Sequence, residues 1–470
     1  MIEVTNPYTG EIDFRFEAVN TDDLGGRCAA LRAAQPAWQA AGLEARLSAL
    51  HGFAGALERH REAIVDALAV DTGRRLLAEG ELSSLLGSLA RWCKQAPGLM
   101  NEASGTSAVP GLSYRNQWVP LPLVGVISPW NFPLVLAMID AVPALLAGCA
   151  VIIKPSEVTP RFIAPLRRAI AEVEALAAVL ALVEGDGTTG RALIGHVDAV
   201  CFTGSLRTGR RVAEAAAQAL IPAFLELGGK DPVIVTGSAD PRKAAVTVLR
   251  ASVLATGQAC QSLERVYVQR SLLKPFLDEL VRLSGEVQLN WPDPSAGQLG
   301  PFIWPRQAEI VQAQLDEAVA RGARVLCGGK VETHGGKWLR PTVLVDVDHQ
   351  MAVMSEETFG PVMPVMAFDS EDEAIALAND SEYGLSAAVI AGNLVEAERI
   401  ALRLEAGGVS LNDGSLTAVM HECEKHSFKG SGLGGSRMGP AGFTRFFRRK
   451  ALIYQSGEPL SIQAFSERTR

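Results

Sequence analysis

From about residue 120 onward, short apolar runs alternate with helix-length segments, and this alternation limits what the chain can fold into more than any other feature. The runs at 123–127, 150–154, 180–184 and 199–202 are apolar along almost their whole length. A strand that offers water neither face must be covered on both, which implies a parallel, doubly wound sheet with helices above and below. The segment 161–176 fits one such helix, with Thr159 as a candidate N-cap and Pro160 at the first helical position. A second series follows, with strands expected at 232–236, 265–269, 342–347, 363–368 and 387–391 and helices at 306–321, 372–379 and 395–404. The first hundred residues are expected to be mainly helical, most clearly at 45–68.

Charge and cysteine usage exclude several function classes. The 470-residue chain carries a formal net charge of -8, which gives no electrostatic basis for binding nucleic acid or an anionic membrane. The Arg448-Arg449-Lys450 cluster is short and is expected on a solvated face near the end of a helix. Seven cysteines are scattered without a C-x-x-C pair, which argues against a disulfide framework or a zinc site and for a reducing, cytoplasmic setting. The first residues include Glu3 and lack an apolar core, so a secretory signal is not expected. The apolar stretch 134–153 has the length of a membrane span, but Asp140, Pro143 and Gly148 interrupt it. It is better read as a buried helix, a turn and a buried strand. The Gly-rich stretch 430–439 is expected to be a loop.

Gly185-Asp186-Gly187-Thr188-Thr189-Gly190 fits G-x-G-x-x-G after a strand. The acid that should close a strand about twenty residues on is missing, because that region reads Phe202-Thr203-Gly204-Ser205. A tight strand-to-helix turn and a cofactor-proximal role both remain open for these glycines.

Three other residues carry more chemistry. Cys260 lies in Gly257-Gln258-Ala259-Cys260, Glu226 in Leu225-Glu226-Leu227-Gly228-Gly229-Lys230, and Asn131 in the rigid turn Pro129-Trp130-Asn131-Phe132-Pro133. A lone cysteine is usually a small buried hydrophobe. An acid in an apolar strand, however, is costly unless it is partnered or functional. With Lys154-Pro155-Ser156-Glu157, Phe202-Thr203-Gly204-Ser205 and the 356–362 segment Glu-Glu-Thr-Phe-Gly-Pro-Val, these motifs occur in an order that resembles the aldehyde dehydrogenase superfamily over nearly the whole chain. The 34-residue spacing from Glu226 to Cys260 is also that of the family.

The resemblance implies oxidation of an aldehyde to a carboxylic acid. Cys260 would attack the carbonyl, and the amide of Asn131 with the Cys260 N–H would hold the oxyanion, one such donor being worth about 2.7–4 kcal/mol. Hydride loss to the cofactor would leave a thioester, hydrolysed by water that Glu226 activates. By the same resemblance, Gly204 and Ser205 lie at the pyrophosphate, Lys154 and Glu157 at the adenosine ribose, and Glu357 at the nicotinamide ribose. Trp130, Leu227 and Phe359 would pack about the cofactor. A carboxylate at 157 accepts from a free 2′-hydroxyl and repels a 2′-phosphate, so NAD is expected over NADP, with dual use open because the side chain can rotate away.

Two departures from the family stand out. Asp140 occupies the place of a lysine that assists proton movement in many members. Lys425 replaces an aromatic of the aldehyde tunnel, inside an unusually charged loop that includes His421, Glu422, Glu424 and His426. That loop is expected either as a solvated loop or subunit contact, or as a polar entrance for a substrate with a charged or hydroxylated tail. The histidines have no spacing that suggests metal ligands, and no metal is expected. Val135, Leu136 and Ile139 are candidate tunnel walls.

The implied architecture has an NAD(P)-binding domain at 1–104 and 124–226 with 431–450, an α/β catalytic domain at 227–430, and a small β oligomerisation flap at 105–123 and 451–470. The flap's second strand is expected at 452–462, and a homodimer or homotetramer follows. Two rivals are a CoA-acylating enzyme, against which Glu226 counts, and a non-catalytic scaffold, against which the joint presence of Cys260, Glu226 and Asn131 counts.

Overall fold

The computed structural model describes residues 1–467. The apolar runs do form parallel sheet. Strands Leu123–Ile127, Ala150–Lys154, Leu180–Leu182, Ala199–Thr203 and Ala223–Glu226 lie side by side in one six-stranded sheet, and Gly432–Leu433 adds an antiparallel edge to Ala223–Glu226. The chain leaves Leu123–Ile127 in one direction, returns to its other side at Ala199–Thr203, and so makes a switch point between these two strands. In open α/β sheets ligands bind at the carboxyl ends of strands flanking such a point. Residues 128–131, Lys154 and 203–205 all lie there.

A second sheet has seven strands, six parallel and one, Arg324–Cys327, antiparallel at the edge. Its central strands are buried on both faces. Val233 and Val235 enter one apolar cluster and Ile234 the other, as the two-residue period of a strand requires.

Several expected boundaries shift. The helix expected at 45–68 is two, Gly42–Arg59 and Arg61–Thr72, because the chain bends at His60, where Glu172 accepts from His60 Nε2 at 2.7 Å and from Arg59 Nε at 2.8 Å. The helix expected at 161–176 runs only over Ile163–Ala171, with a short turn at Glu174–Ala177. Thr159 does not cap it; its hydroxyl instead donates to the Trp130 carbonyl at 3.3 Å. The stretch 134–153 is helix Pro133–Met138, helix Ala141–Ala147 and strand Ala150–Lys154, and no helix among the described residues is long and apolar enough to cross a membrane. The expected loop at 430–439 begins with the strand Gly432–Leu433, which pairs with Leu225 and Glu226.

Strand Phe447–Gln455 pairs antiparallel with Leu112–Pro120 in perfect register, with Ser104–Thr106 at the edge. This corrects two expectations. The strand lies over Phe447–Gln455 and not 452–462, and Arg448-Arg449-Lys450 belongs to it and not to a helix. Arg449 has a stated reason to be there, because its guanidinium sits 4.0 Å from the Trp118 ring centre on the paired strand. Residues 468–470 of the segment expected in the flap lie outside the described residues.

Asp140 is fully buried and accepts from Arg437 Nη2 at 2.9 Å and from Arg445 Nη2. The acid thus neutralises two buried cations of the C-terminal segment. Asp140→Ala should therefore strand both guanidinium groups and cost about 3–5 kcal/mol of stability, read as a lowered denaturation midpoint.

Candidate active site

The end of strand Ala223–Glu226 and the loop before strand Leu263–Gln269 meet so closely that Gly229 has no room for a side chain, and Gly228 lies against the Glu357 carboxylate. A Cβ on Gly228 would stand 2.5 Å from Glu357 Oε2, and one on Gly229 would stand 2.7 Å from the Cys260 carbonyl oxygen. Within Leu225-Glu226-Leu227-Gly228-Gly229-Lys230, Gly229 is thus required by backbone contact, and that contact brings the Glu226 strand to the cysteine loop.

The loop itself is bent by three successive left-handed residues, Ala255, Thr256 and Gly257, with φ of 57°, 61° and 67°. For the first two this is backbone strain of about 1–3 kcal/mol each. Buried hydrogen bonds hold it. Arg74 donates to the Ala255 carbonyl at 2.8 Å and to the Asn131 carbonyl at 2.9 Å. Thr256 Oγ1 donates to Gly300 O at 2.9 Å, and Gln258 Oε1 accepts from Ile303 N at 3.0 Å. Asn131 Nδ2 donates to the Gln258 carbonyl at 2.9 Å, which joins the 129–133 turn to the cysteine loop. Glu81 fixes the other side of that turn, accepting from Leu134 N at 2.9 Å and Val135 N at 3.1 Å. Burial pushes the Glu81 carboxyl up to about 7, against the Val135 hydrogen bond, the field of Arg74 and the Leu134 hydrogen bond. Neither Arg74 nor Glu81 was found from sequence. Their seven-residue spacing along one helical face was the only signal offered.

Cys260 is partly exposed, whereas Cys28, Cys93, Cys149 and Cys201 are buried. Burial pushes its thiol up to about 12; the Lys425 ammonium opposes that rise, and Asp231, Glu357 and Glu226 add to it. Glu226 Oε2 accepts from Ser427 Oγ at 3.3 Å and lies 3.9 Å from Lys425 Nζ. Lys425 is only 7% exposed, although its neighbours Glu424 and His426 are exposed. The loop is therefore solvated except at this residue, which turns inward. Its backbone N–H donates to Ser436 Oγ at 3.2 Å, and its stem passes over Gly408, where a Cβ would be 3.5 Å from Lys425 Cδ. Glu226, Lys425 and Ser427 face a cavity of about 210 Å³ closed by Gly432, Gly434 and Ser436.

The segment Glu357–Phe359 is anchored by a buried pair that sequence reasoning also missed. Lys230 Nζ lies 2.8 Å from Glu264 Oε2 and donates to Thr358 Oγ1 at 2.7 Å. Glu264 accepts from Thr358 N at 2.7 Å and Phe359 N at 2.8 Å. Phe359 is held at φ 54°, with its ring edge-on to Trp130 at 5.4 Å between centres. Glu357 accepts from Gly229 N at 3.1 Å, and burial pushes its carboxyl up to about 8.

The residues expected at the cofactor lie along the carboxyl ends of the first sheet. Lys154 Nζ is 3.1 Å from Glu157 Oε2. Ser205 caps helix Leu206–Ala219, accepting from Thr208 N at 3.4 Å, and Gly204 N donates to Glu226 O at 3.2 Å. Leu227 packs on Gly209 of that helix so closely that a Cβ there would collide with it. In the G-x-G-x-x-G turn, Asp186 caps helix Gly187–Ile194 through Thr188 N at 2.8 Å and Thr189 N at 3.3 Å. A Cβ on Gly190 would be 3.6 Å from Lys154 Cδ, so this turn borders the Lys154 site. Val135, Leu136 and Ile139 are partly exposed beside the fully buried Ala137 and Met138. Asp140 does not stand free in the site; Arg437, its partner, also donates to Thr203 Oγ1 at 2.7 Å. Among the described residues no three His, Cys, Asp or Glu side chains cluster as metal ligands.

A thiol, an acid and an amide brought to where two α/β sheets meet, near the capped N-terminus of helix Leu206–Ala219, fit a dehydrogenase of the covalent, cysteine-dependent class. The model of the aldehyde dehydrogenase family matches residues 1–452, and the chain belongs to that family. It is 49% identical to a solved protein of Anabaena variabilis assigned as the aldehyde dehydrogenase PutA, with a TM-score of 0.96 and 98% of each chain covered. It is 29% identical to the betaine aldehyde dehydrogenase of Staphylococcus aureus solved with NAD+, with a TM-score of 0.90 and 97% and 92% of the two chains covered. A Mycobacterium ulcerans protein assigned as a succinate-semialdehyde dehydrogenase [NADP(+)] is 33% identical over 97% of this chain and 89% of its own length. The chain is an NAD(P)-dependent oxidoreductase that converts an aldehyde to a carboxylic acid.

Arg74→Met removes two buried hydrogen bonds from a charged donor, each worth about 1.5–3 kcal/mol. It should relax the Ala255–Gly257 bend and lower kcat by about ten- to a hundredfold, measured as NADH formation at saturating aldehyde.

Proposed function

We propose that Cys260 is the nucleophile, that Asn131 with the Cys260 N–H receives the oxyanion, and that Glu226 activates the water that hydrolyses the thioester. The observation that carries this reading is the contact of Gly229 with the Cys260 carbonyl, which sets the Glu226 strand end beside the thiol-bearing loop. The sulfur adds to the aldehyde carbonyl, and the hydrogen bond from Asn131 to the Gln258 carbonyl keeps the amide at that loop while negative charge builds on oxygen. The nicotinamide, when bound, supplies the hydride acceptor. Glu226 then takes a proton from water as it attacks the thioester carbonyl, and the thiol is released with the acid.

Lys154, Glu157, Gly204, Ser205 and Leu227 would hold the adenosine and pyrophosphate, and Trp130, Glu357 and Phe359 the nicotinamide half. The N-cap geometry of Ser205 at the start of helix Leu206–Ala219 supports this fit. NAD is preferred over NADP, because Glu157, 3.1 Å from Lys154 Nζ, sets a carboxylate against a 2′-phosphate. One similar protein named for NADP(+) and another solved with NAD+ keep both in view. Leu136, Ile139 and Lys425 border the aldehyde route. The 1–104 and 124–226 unit binds the cofactor, 227–430 carries the cysteine, and the sheet of Ser104–Thr106, Leu112–Pro120 and Phe447–Gln455 pairs subunits into a dimer or tetramer. Its exposed Ile453 and Tyr454 support that role, which a stable monomer in light scattering would remove. A cytoplasmic location agrees with the seven unpaired cysteines.

A panel of aldehydes with NAD and NADP side by side, without CoA, tests the reading. NADH and free acid should form in equal amounts, faster with NAD, and Cys260→Ala should abolish both. Acid formation by the Cys260→Ala enzyme would refute it.

A further inference from the structure

The family chemistry leaves the Lys425 ammonium unexplained. Lysine is among the residues least often buried, and a buried ammonium is expensive unless anions surround it. Here the side chain is 6% exposed, and Nζ has no hydrogen-bond partner among the described residues. The nearest carboxylate oxygen it is paired with is Glu226 Oε2, at 3.9 Å, too far for a hydrogen bond and close enough for a strong field. Asp231, the other acid influenced by Lys425, is already held by the hydroxyl and N–H of Ser386. Among the described residues Glu226 is therefore its one ion-pair partner, and its field also reaches the Cys260 thiol, so the charge serves no structural pair.

We propose that Lys425 is the charge-setting residue of this active site, an ammonium that stabilises the Cys260 thiolate together with the Glu226 carboxylate, where an aromatic stands in similar enzymes. When the thiol ionises, the S–H bond breaks, sulfur keeps the electron pair and the proton passes to solvent. The groups acting on that sulfur come from five segments. Glu226, Asp231 and Glu357 disfavour the thiolate, and Lys425 and Arg437 favour it. Arg437 is engaged with Asp140 and Thr203, so its field is partly spent. Lys425 is not so engaged, and its ammonium opposes the rise that burial imposes on the thiol. The uncharged aromatic it replaces could not do this. Lys425 acts through Cys260 and Glu226 and is a positioning residue for their charges, not a group that exchanges atoms with substrate.

The inference rests on Cys260 being the nucleophile, but its test does not need turnover. Full-length enzyme is alkylated with iodoacetamide across a pH series, and the Cys260 peptide is quantified by mass spectrometry, with exposed Cys423 as internal reference. Lys425→Met should move the Cys260 midpoint up by about one pH unit, about tenfold less thiolate at a given pH below it, while Cys423 is unmoved. Lys425→Arg should restore most of the shift. An unchanged midpoint in a folded Lys425→Met enzyme overturns the proposal, as does an equal shift in Lys425→Arg. If Lys425→Met does not fold, Lys425→Gln gives the same comparison. The NADH assay with Cys260→Ala separates failure of the nucleophile assignment from failure of this one.

Discussion

The active site depends on a backbone contact that leaves no room for a Cβ. Gly229 lies against the Cys260 carbonyl and Gly228 against the Glu357 carboxylate, so three segments of the chain touch at one point. One ends a strand of the first sheet, one precedes a strand of the second, and one carries the acid expected at the nicotinamide ribose. A side chain at Gly229 would drive the Glu226 strand away from the cysteine loop, and one at Gly228 would displace the Glu357 carboxylate. The bend at Ala255–Gly257 serves the same end. It is strained, and it persists because Arg74, Gln258 and Thr256 hold it through buried hydrogen bonds.

Around that point the charges are arranged in two buried groups. Asp140 compensates Arg437 and Arg445, and Arg437 reaches Thr203, the residue in register with Glu226 on the neighbouring strand. The acid at 140 therefore changes the local network without leaving an unpaired charge. Lys230 and Glu264 pair with each other and fix Thr358 and Phe359. Lys425 belongs to neither group. Its ammonium lies 3.9 Å from Glu226 without a hydrogen bond, at a position where the resemblance to the family implies an aromatic.

The strands were legible because burial on both faces forces unbroken apolar runs, as in Ala150–Lys154 and Asp231–Val235. The motif residues were legible because their chemistry is tied to fixed local geometry, as in the Gly228-Gly229 pair. What escaped was set by contacts distant in sequence. The break at His60 falls where Arg59 and His60 both bond Glu172, more than a hundred residues away. The flap strand begins at Phe447, where Arg449 stacks on Trp118 of the other strand. Lys425 was legible as a departure at the aldehyde tunnel, but its burial was not, because the residues beside it are exposed; its N–H bond to Ser436 and the packing of its stem near Gly408 accompany the inward turn. Arg74 and Glu81 lie far along the chain from the loop and turn they hold.

The decisive observation is covalent. Glu226→Gln enzyme mixed with an aldehyde and NAD, quenched in acid within its first turnover and mapped by peptide mass, should carry the acyl group on the peptide that contains Cys260, in amount equal to the NADH formed. NADH released with no acyl group on that peptide, or with the group on another cysteine, would contradict the covalent route through this thiol.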